Sequence, residues 1–106
     1  MAFQTRTHVE GDVASIKLVG ELDSRAAHRF NGVIAELTAQ PLTRLVLLME
    51  ELSYMSSAGL RCLVFAHQKL GRGVEIVLVG TQQAVAETIN LTGFDRSVVM
   101  QDPLGT

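Results

Sequence analysis

Hydrophobic and polar residues alternate in the first part of the chain as they do in β-strands. The alternation is loose over residues 3–9 and regular over residues 13–19. A period of two places successive side chains on opposite faces of a sheet. The apolar face of the second run consists of Ala14, Ile16 and Leu18. Residues 10–12 (EGD) form a turn signal between the runs, so the sequence predicts a hairpin whose second strand ends at Gly20.

Three later segments show apolar residues at spacings of three and four, which is typical of amphipathic helices. The first segment follows Asp23 and Ser24, either of which can cap a helix. The second helix is predicted over residues 57–70 and the third over about 82–92, where Gly93 provides a helix ending. The inner stripe of the second helix comprises Leu60, Leu63, Val64 and Leu70.

Two continuously apolar runs alternate with these helices. Residues 45–49 (LVLLM) and 74–79 (VEIVLV) are expected to be strands covered on both faces, as in parallel sheets. Residues 50–56 then carry the chain off the first of them, residues 97–100 predict a short edge strand, and the tail from residue 101 is expected to fray. The order β-β-α-β-α-β-α-β predicts an α/β fold with a mixed, mostly parallel β-sheet and packed α-helices.

Length and composition favour one intracellular domain. The chain has 106 residues, so we expect a single domain over residues 1–106. Its formal net charge is −2 and its 9 basic residues are scattered, which argues against nucleic acid as a partner. Cys62 is the single cysteine, which fits a reducing compartment. Neither a signal peptide nor a membrane-spanning run is visible, so the expected location is cytoplasmic, with no membrane partner.

Residues that could support catalysis do not form a recognisable set. His8, His28 and His67 stand apart, and the glycines form no phosphate-binding loop. Glu50 and Glu51 follow a predicted strand, where α/β sites tend to lie, but a solvated turn is the simpler interpretation. We therefore expect no enzyme, no metal and no cofactor. An enzyme or small-ligand binder that uses the carboxyl end of the sheet stays open as an alternative.

Residues 52–60 (LSYMSSAGL) join a predicted strand to the second helix. One of Ser56 and Ser57 can be the helix N-cap, worth about 1 kcal/mol. Ala58 and Gly59 would then let the first turn approach its neighbours closely. The free N–H groups of a helix N-terminus would also tolerate a phosphate, which adds about −1.5 to −2 charges and would repel a docked partner. The residues alone leave both the cap and the switch open.

Three short motifs, taken together, resemble those of the STAS domain family, particularly the single-domain anti-sigma factor antagonists of bacteria. Residues 18–23 (LVGELD) are similar to the family's L-x-G-E-L-D motif. Residues 52–60 are similar to its strand exit followed by D/S-S-x-G-L, and residues 91–94 (LTGF) to its closing x-S/T-G-L/F turn. The resemblance covers nearly the whole chain and implies a mixed sheet with helices packed against it.

The resemblance also implies a mechanism called partner switching. The unmodified antagonist binds an anti-sigma factor that is itself a serine kinase with a histidine-kinase-like ATP fold, and the sigma factor is freed. The kinase phosphorylates one serine of the antagonist, which breaks the complex, and a metal-dependent serine phosphatase restores it. By position in the motif that serine is Ser57, with Ser56, where many members carry Asp, as a second candidate.

The partner is expected to dock on the turn and on the exposed side of the second helix. Arg61, Phe65 and Lys69 continue from Ser57 at a spacing of four. Phe65 is either an outward interface anchor or a core residue covered by a loop, and the sequence leaves both open. The alternative within the family is a non-phosphorylated STAS subunit of a transporter or other regulatory complex. The predicted partner-binding residues are Ser56, Ser57, Ala58, Gly59, Arg61, Phe65 and Asp23.

Overall fold

The alternating and periodic segments fold into one sheet with helices packed against it. A computed structural model describes residues 2–103 of the chain. Its strands are β1 (Gln4–Glu10), β2 (Val13–Leu22), β3 (Arg44–Met55), β4 (Glu75–Val79) and β5 (Val99–Gln101). Its α-helices are α1 (Ser24–Leu37), α2 (Ser57–Leu70) and α3 (Gln83–Thr92), and a short 3-10 helix covers Phe94–Arg96.

The strands lie in the spatial order β1-β2-β3-β4-β5. β1 and β2 form the antiparallel hairpin, and the other neighbouring pairs are parallel. The predicted order of elements and the mixed, mostly parallel sheet are therefore confirmed. The last edge strand was predicted over residues 97–100 and is observed over Val99–Gln101. Gln101, which the sequence analysis assigned to the frayed tail, pairs with Val79. Asp102 and Pro103 follow this strand without regular secondary structure, and the tail from residue 104 onward lies outside the described residues.

The helices cover one face of the sheet. Ala14, Leu45 and Ile76 are neighbours across three strands on this face, and each is at most 2% exposed. They join helix residues in the main apolar core. Val46 and Leu48 point to the opposite face of β3 and are only half-buried. The expectation that 45–49 is covered on both faces is therefore wrong, whereas β4 is buried along both faces as predicted.

β3 is much longer than its apolar run because it contains two irregularities. Its pairing with β2 shifts register twice, each time with one extra residue on β3. These shifts break the alternation of period two, so that Glu50 and Glu51 are both exposed within the strand. The prediction that residues 50–56 leave the sheet is wrong, and Gly20 does not end β2. Glu50 and Glu51 are strand residues rather than a solvated turn, and the Glu51 carboxylate lies 2.6 Å from the Lys17 ammonium.

The helix bounds follow local signals closely. Asp23 is the N-cap of α1, and its carboxylate accepts a hydrogen bond of 2.9 Å from the Ala26 N–H. α2 spans the predicted 57–70. Gly93 ends α3 in a left-handed conformation, with φ of 80°, that disfavours residues with a Cβ. None of the helices in residues 2–103 is long and apolar enough to cross a membrane.

Candidate partner-binding site

The site forms at the carboxyl ends of β2 and β3, which are parallel neighbours and end side by side. Leu22 and Met55, the last residues of these strands, are paired. The N–H of Ser56 continues the pairing by donating to the Leu22 carbonyl at 2.9 Å. α1 and α2 therefore begin next to each other, capped by Asp23 and Ser56 respectively. Two helix N-termini, each with a partial positive charge, lie at one edge of the molecule.

Ser56 is the N-cap of α2. Its hydroxyl oxygen accepts a hydrogen bond of 3.1 Å from the Gly59 N–H, and its side chain is half-buried. Its backbone is extended, as the N-cap position requires. The prediction that one of the two serines caps the helix is confirmed, and the structure assigns the cap to Ser56.

Ser57 is the first residue of α2 and is exposed. Within residues 2–103, its hydroxyl has no hydrogen-bond partner. The first turn of α2 contains no acidic residue and carries backbone N–H groups that have no partner within the helix. An anion on Ser57 would therefore meet favourable charge and no carboxylate from its own turn.

Gly59 fixes the closeness of α2 to the end of β2. A Cβ at this position would lie 2.7 Å from the Leu22 Cγ and 3.1 Å from the Leu22 carbonyl oxygen. Gly59 is buried, so it positions the serine turn rather than presenting a surface. Ala58, beside it, is half-buried against the core.

The exposed face of α2 continues from Ser57 through Arg61 and Phe65. Phe65 is 42% exposed, and the Lys69 ammonium lies 5.8 Å from the centroid of its ring. Of the two possibilities left open for Phe65, the outward orientation is confirmed. Arg61 is exposed as well and forms no ion pair with any other residue of the described range.

A groove runs between this face of α2 and the turn that follows α3. Its volume is about 470 Å³. The wall of the groove opposite α2 is formed by residues 92–97, and the sequence analysis did not predict it. Along the chain, these residues are separated from Ser57 by the rest of α2, by β4 and by most of α3. The only signal for it was the LTGF motif, interpreted as a turn. The residues that line the groove are Ser57, Leu60, Arg61, Val64, Thr92, Gly93, Phe94 and Ser97.

Hydrogen bonds at the end of α3 hold the far wall of this groove. The Gly93 N–H donates to the Asn90 carbonyl at 3.1 Å, which is one of the two bonds of a Schellman ending. The Thr92 hydroxyl donates to the Ile89 carbonyl at 2.8 Å and accepts from the Phe94 N–H at 3.4 Å. In a full Schellman ending the Phe94 N–H would donate directly to the Ile89 carbonyl. Here the Thr92 hydroxyl bridges these two groups and so connects the turn to the helix.

The titratable residues near the site support packing. Cys62 is 1% exposed, and its thiol lies 3.4 Å from the Ala27 carbonyl oxygen. Burial raises the pKa of this thiol, and the nearby Arg61 charge opposes the rise only partly. His67 is half-buried, with its ring edge-on to Phe94 at 6.0 Å between centroids. Within residues 2–103, no three His, Cys, Asp or Glu side chains are grouped as metal ligands.

The fold and this serine turn define a class of small α/β domain. Helices cover one face of a mixed sheet, one serine caps the second helix, and a second serine begins it. The STAS domain model matches residues 4–106. The chain therefore belongs to the STAS domain family, as its three motifs indicated.

Individual relatives agree with this assignment. The anti-sigma-F factor antagonist RsfB of Mycobacterium tuberculosis is 28% identical over 85 residues, covering 80% of this chain and 70% of RsfB. An anti-sigma factor antagonist from Mycobacterium paratuberculosis has the same fold, with a TM-score of 0.88 at 24% identity over 97% of this chain and 88% of that one.

The antagonist SpoIIAA is similar in two forms. Its unphosphorylated form gives a TM-score of 0.81 at 25% identity, covering 98% of this chain and 90% of SpoIIAA. Its phosphorylated form, described as a Bacillus cell fate determinant, gives 0.72 at 25% identity, covering 98% and 93%.

Proposed function

We propose that this chain is an anti-sigma factor antagonist that acts by partner switching, with Ser57 as the residue that is phosphorylated. One observation carries the choice of residue. The Ser57 hydroxyl is exposed and makes no hydrogen bond within residues 2–103, whereas the Ser56 hydroxyl is half-buried and holds the helix cap. A kinase can reach the first without disturbing the fold, but modification of the second would remove the cap.

Two relatives support the proposal. RsfB is named as an anti-sigma-F factor antagonist, and it is similar to this chain over most of its length. SpoIIAA, an anti-sigma factor antagonist, exists in an unphosphorylated and a phosphorylated form, both of which share this fold. A domain of this architecture can therefore carry a phosphate and stay folded.

The physical effect of the phosphate would fall on the partner rather than on the domain. At the first position of α2 it adds about −1.5 to −2 charges beside free N–H groups. The fold tolerates this charge, but a partner docked over the turn would lose a close contact and meet a new anion. A loss of about 3–4 kcal/mol weakens binding several hundred-fold.

The partners in this proposal are proteins. The unmodified chain binds a serine kinase with a histidine-kinase-like ATP fold, which is also the anti-sigma factor, and a metal-dependent serine phosphatase removes the phosphate. The chain itself has a binding role without catalysis in this scheme, which operates in the cytoplasm. Asp23 and Ala58 flank the serine turn, and Arg61 and Phe65 extend the docking surface along α2.

Phosphate incorporation tests the proposal directly. Purified kinase from the same organism is incubated with ATP, magnesium and the chain, and the intact mass is followed for wild type, Ser57→Ala and Ser56→Ala. Ser24→Ala is a matched control, because Ser24 is the exposed first residue of the neighbouring helix α1. We expect one phosphate, which is lost only in Ser57→Ala.

The other outcomes separate the competing functions. Loss only in Ser56→Ala keeps partner switching and moves the site by one residue. Tight binding of the kinase-like protein without phosphate in any variant favours the non-phosphorylated subunit of a transporter or other complex. Neither binding nor phosphate contradicts the proposed function and leaves the family assignment alone.

A further inference from the structure

β1 forms one edge of the sheet, and within residues 2–103 its outer side has no neighbouring strand. It is 7 residues long, whereas β5, at the other edge, has only 3. A long open edge is a template for pairing with another chain. We propose that the protein forms a symmetric dimer in which β1 pairs antiparallel with β1 of a second copy. This inference goes beyond the proposed function and does not depend on it.

The backbone of β1 presents alternate residues to this open side. The Ser15 hydroxyl donates to the His8 carbonyl at 3.5 Å, so this carbonyl faces β2. Hydrogen-bonding groups alternate in direction along an antiparallel pair, so the N–H and C=O groups of Thr7 and Val9 point outward. Both residues are exposed, so another strand can reach these groups. Two copies can therefore pair only in registers that set one outward-pointing residue opposite another.

The charges on β1 indicate what its outer side needs. Arg6, His8 and Glu10 share the sheet face opposite the helices, because they pair with the half-buried residues of β2. Arg6 lies directly opposite Lys17, and like charges in this position destabilise a sheet. Lys17 pairs with the Glu51 carboxylate, whereas Arg6 forms no ion pair within residues 2–103. A carboxylate on the outer side of Arg6 would offset this repulsion.

Pairing centred on His8 supplies this carboxylate to both copies. With the two-fold axis beside His8, Arg6 of each copy lies opposite Glu10 of the other. These are non-hydrogen-bonded pairs, in which the side chains approach most closely. Thr7 and Val9 lie opposite each other between them and form the hydrogen-bonded pairs, a position that suits β-branched residues. A register centred on Arg6 sets two guanidinium groups together, and one centred on Thr7 sets Arg6 opposite His8.

The helix side of β1 would gain an apolar contact in the dimer. Val9 is 37% exposed in the single chain. In the dimer it would lie beside Thr7 of the second copy, at the rim of a groove that Thr7 shares with Val33 and Leu37 of α1. One strand edge buries less than the roughly 1,200 Å² of a standard stable interface, so the dimer should be weak.

The dimer leaves the serine turn accessible. His8 lies opposite Ser15, near the beginning of β2, whereas Ser57 follows the carboxyl ends of β2 and β3. The symmetry axis and the candidate partner-binding site are therefore at opposite ends of β2. Each copy in the dimer could bind its own partner.

Sedimentation equilibrium with charge-reversal variants tests the pairing. At about pH 8, where imidazole side chains are ordinarily neutral, we expect wild type to dimerise with a Kd on the order of 10–100 μM. Arg6→Glu sets carboxylates opposite each other and Glu10→Arg sets guanidinium groups opposite each other, so each should weaken the dimer about ten-fold or more. The double variant exchanges the two charges and should restore the Kd to within about three-fold of wild type.

Arg72→Glu is the matched control for net charge. Arg72 is exposed and precedes β4, which β2 and β3 separate from β1. This variant should change the Kd less than about two-fold. Circular dichroism of each variant establishes that the fold is intact.

Amide hydrogen exchange locates the interface. At about 1 mM, the Thr7 and Val9 N–H groups of wild type should exchange about five-fold more slowly than those of Arg6→Glu, because the second strand binds them only in the dimer.

The outcomes decide the inference without reference to phosphorylation. Dissociation by each single reversal and recovery in the double variant support pairing through β1. Wild type that is monomeric at about 1 mM overturns it. A dimer that both single reversals leave unchanged, or one without slower exchange at Thr7 and Val9, also overturns it, because its interface then lies elsewhere. Each of these results leaves the proposed role of Ser57 as it was.

Discussion

The contact between Gly59 and Leu22 allows a stability effect to be worked out from the structure. In Gly59→Ala, the added Cβ would lie 2.7 and 2.9 Å from the Leu22 Cγ and Cδ2 and 3.1 Å from its carbonyl oxygen. Carbon atoms in contact normally lie about 3.5–4.0 Å apart, so one element must move by roughly 1 Å. Leu22 cannot move freely, because it is 0% exposed and its carbonyl accepts the Ser56 N–H.

Two opposing contributions set the magnitude. Overpacking of this kind costs about 1–3 kcal/mol. Alanine gains about 0.5–1 kcal/mol over glycine within a helix. We therefore expect Gly59→Ala to lower the free energy of unfolding by about 1–2 kcal/mol, which corresponds to a fall in Tm of roughly 5–10 °C for a domain of this size.

Urea unfolding followed by circular dichroism measures this difference, with an unchanged m-value as the check that only stability has altered. Gly32→Ala is the matched control. Gly32 lies inside α1, is exposed, and has no atom within 4 Å of its added Cβ. It should gain about 0.5–1 kcal/mol. If Gly59→Ala is as stable as wild type while Gly32→Ala behaves as expected, the close packing of α2 on Leu22 is refuted.

The remaining predictions concern the caps and the thiol. Asp23→Ala and Ser56→Ala should each lower the free energy of unfolding by about 1 kcal/mol in urea titrations, because each removes an N-cap hydrogen bond. Ser57→Ala should change it by less than about 0.5 kcal/mol, and a larger loss would show that its hydroxyl has a structural role. Burial raises the pKa of the Cys62 thiol. The unfolded chain therefore loses this proton first, and stability should fall as the pH rises above about 8.5, the unfolded value. Cys62→Ala should lack this part of the decline when urea midpoints are compared across pH, and an equal decline would contradict the assignment. The native thiol should also react with Ellman's reagent far more slowly than the urea-unfolded one.

Local patterns in the sequence determined the kind and order of the elements. The spacing of apolar residues predicted three helices, and α2 begins and ends where this spacing placed it, over 57–70. Asp23 was one of two candidate caps, and the cap geometry confirms it. These features depend on contacts between residues that are close in sequence, so they can be predicted without knowing which distant segments pack against them.

The candidate site was predicted only in its local part. The serine pair was found because a strand exit and a helix start adjoin in the sequence. Which serine caps the helix depends on where β3 ends, and therefore on its pairing with β2. The outward orientation of Phe65 depends on what covers α2, and the second wall of the groove comes from residues 92–97, far along the chain.

The sequence by itself thus determined the kind and order of the strands and helices, the candidate caps and the family motifs of this protein. The tertiary structure alone decided the length of β3, the half-buried second face of that strand, the free hydroxyl of Ser57 and the groove beside it. The reason is physical: period and capping are properties of neighbouring residues. Bulges, burial and close approach arise only when segments distant in sequence meet, as the two extra residues of β3 and the Gly59 contact with Leu22 show.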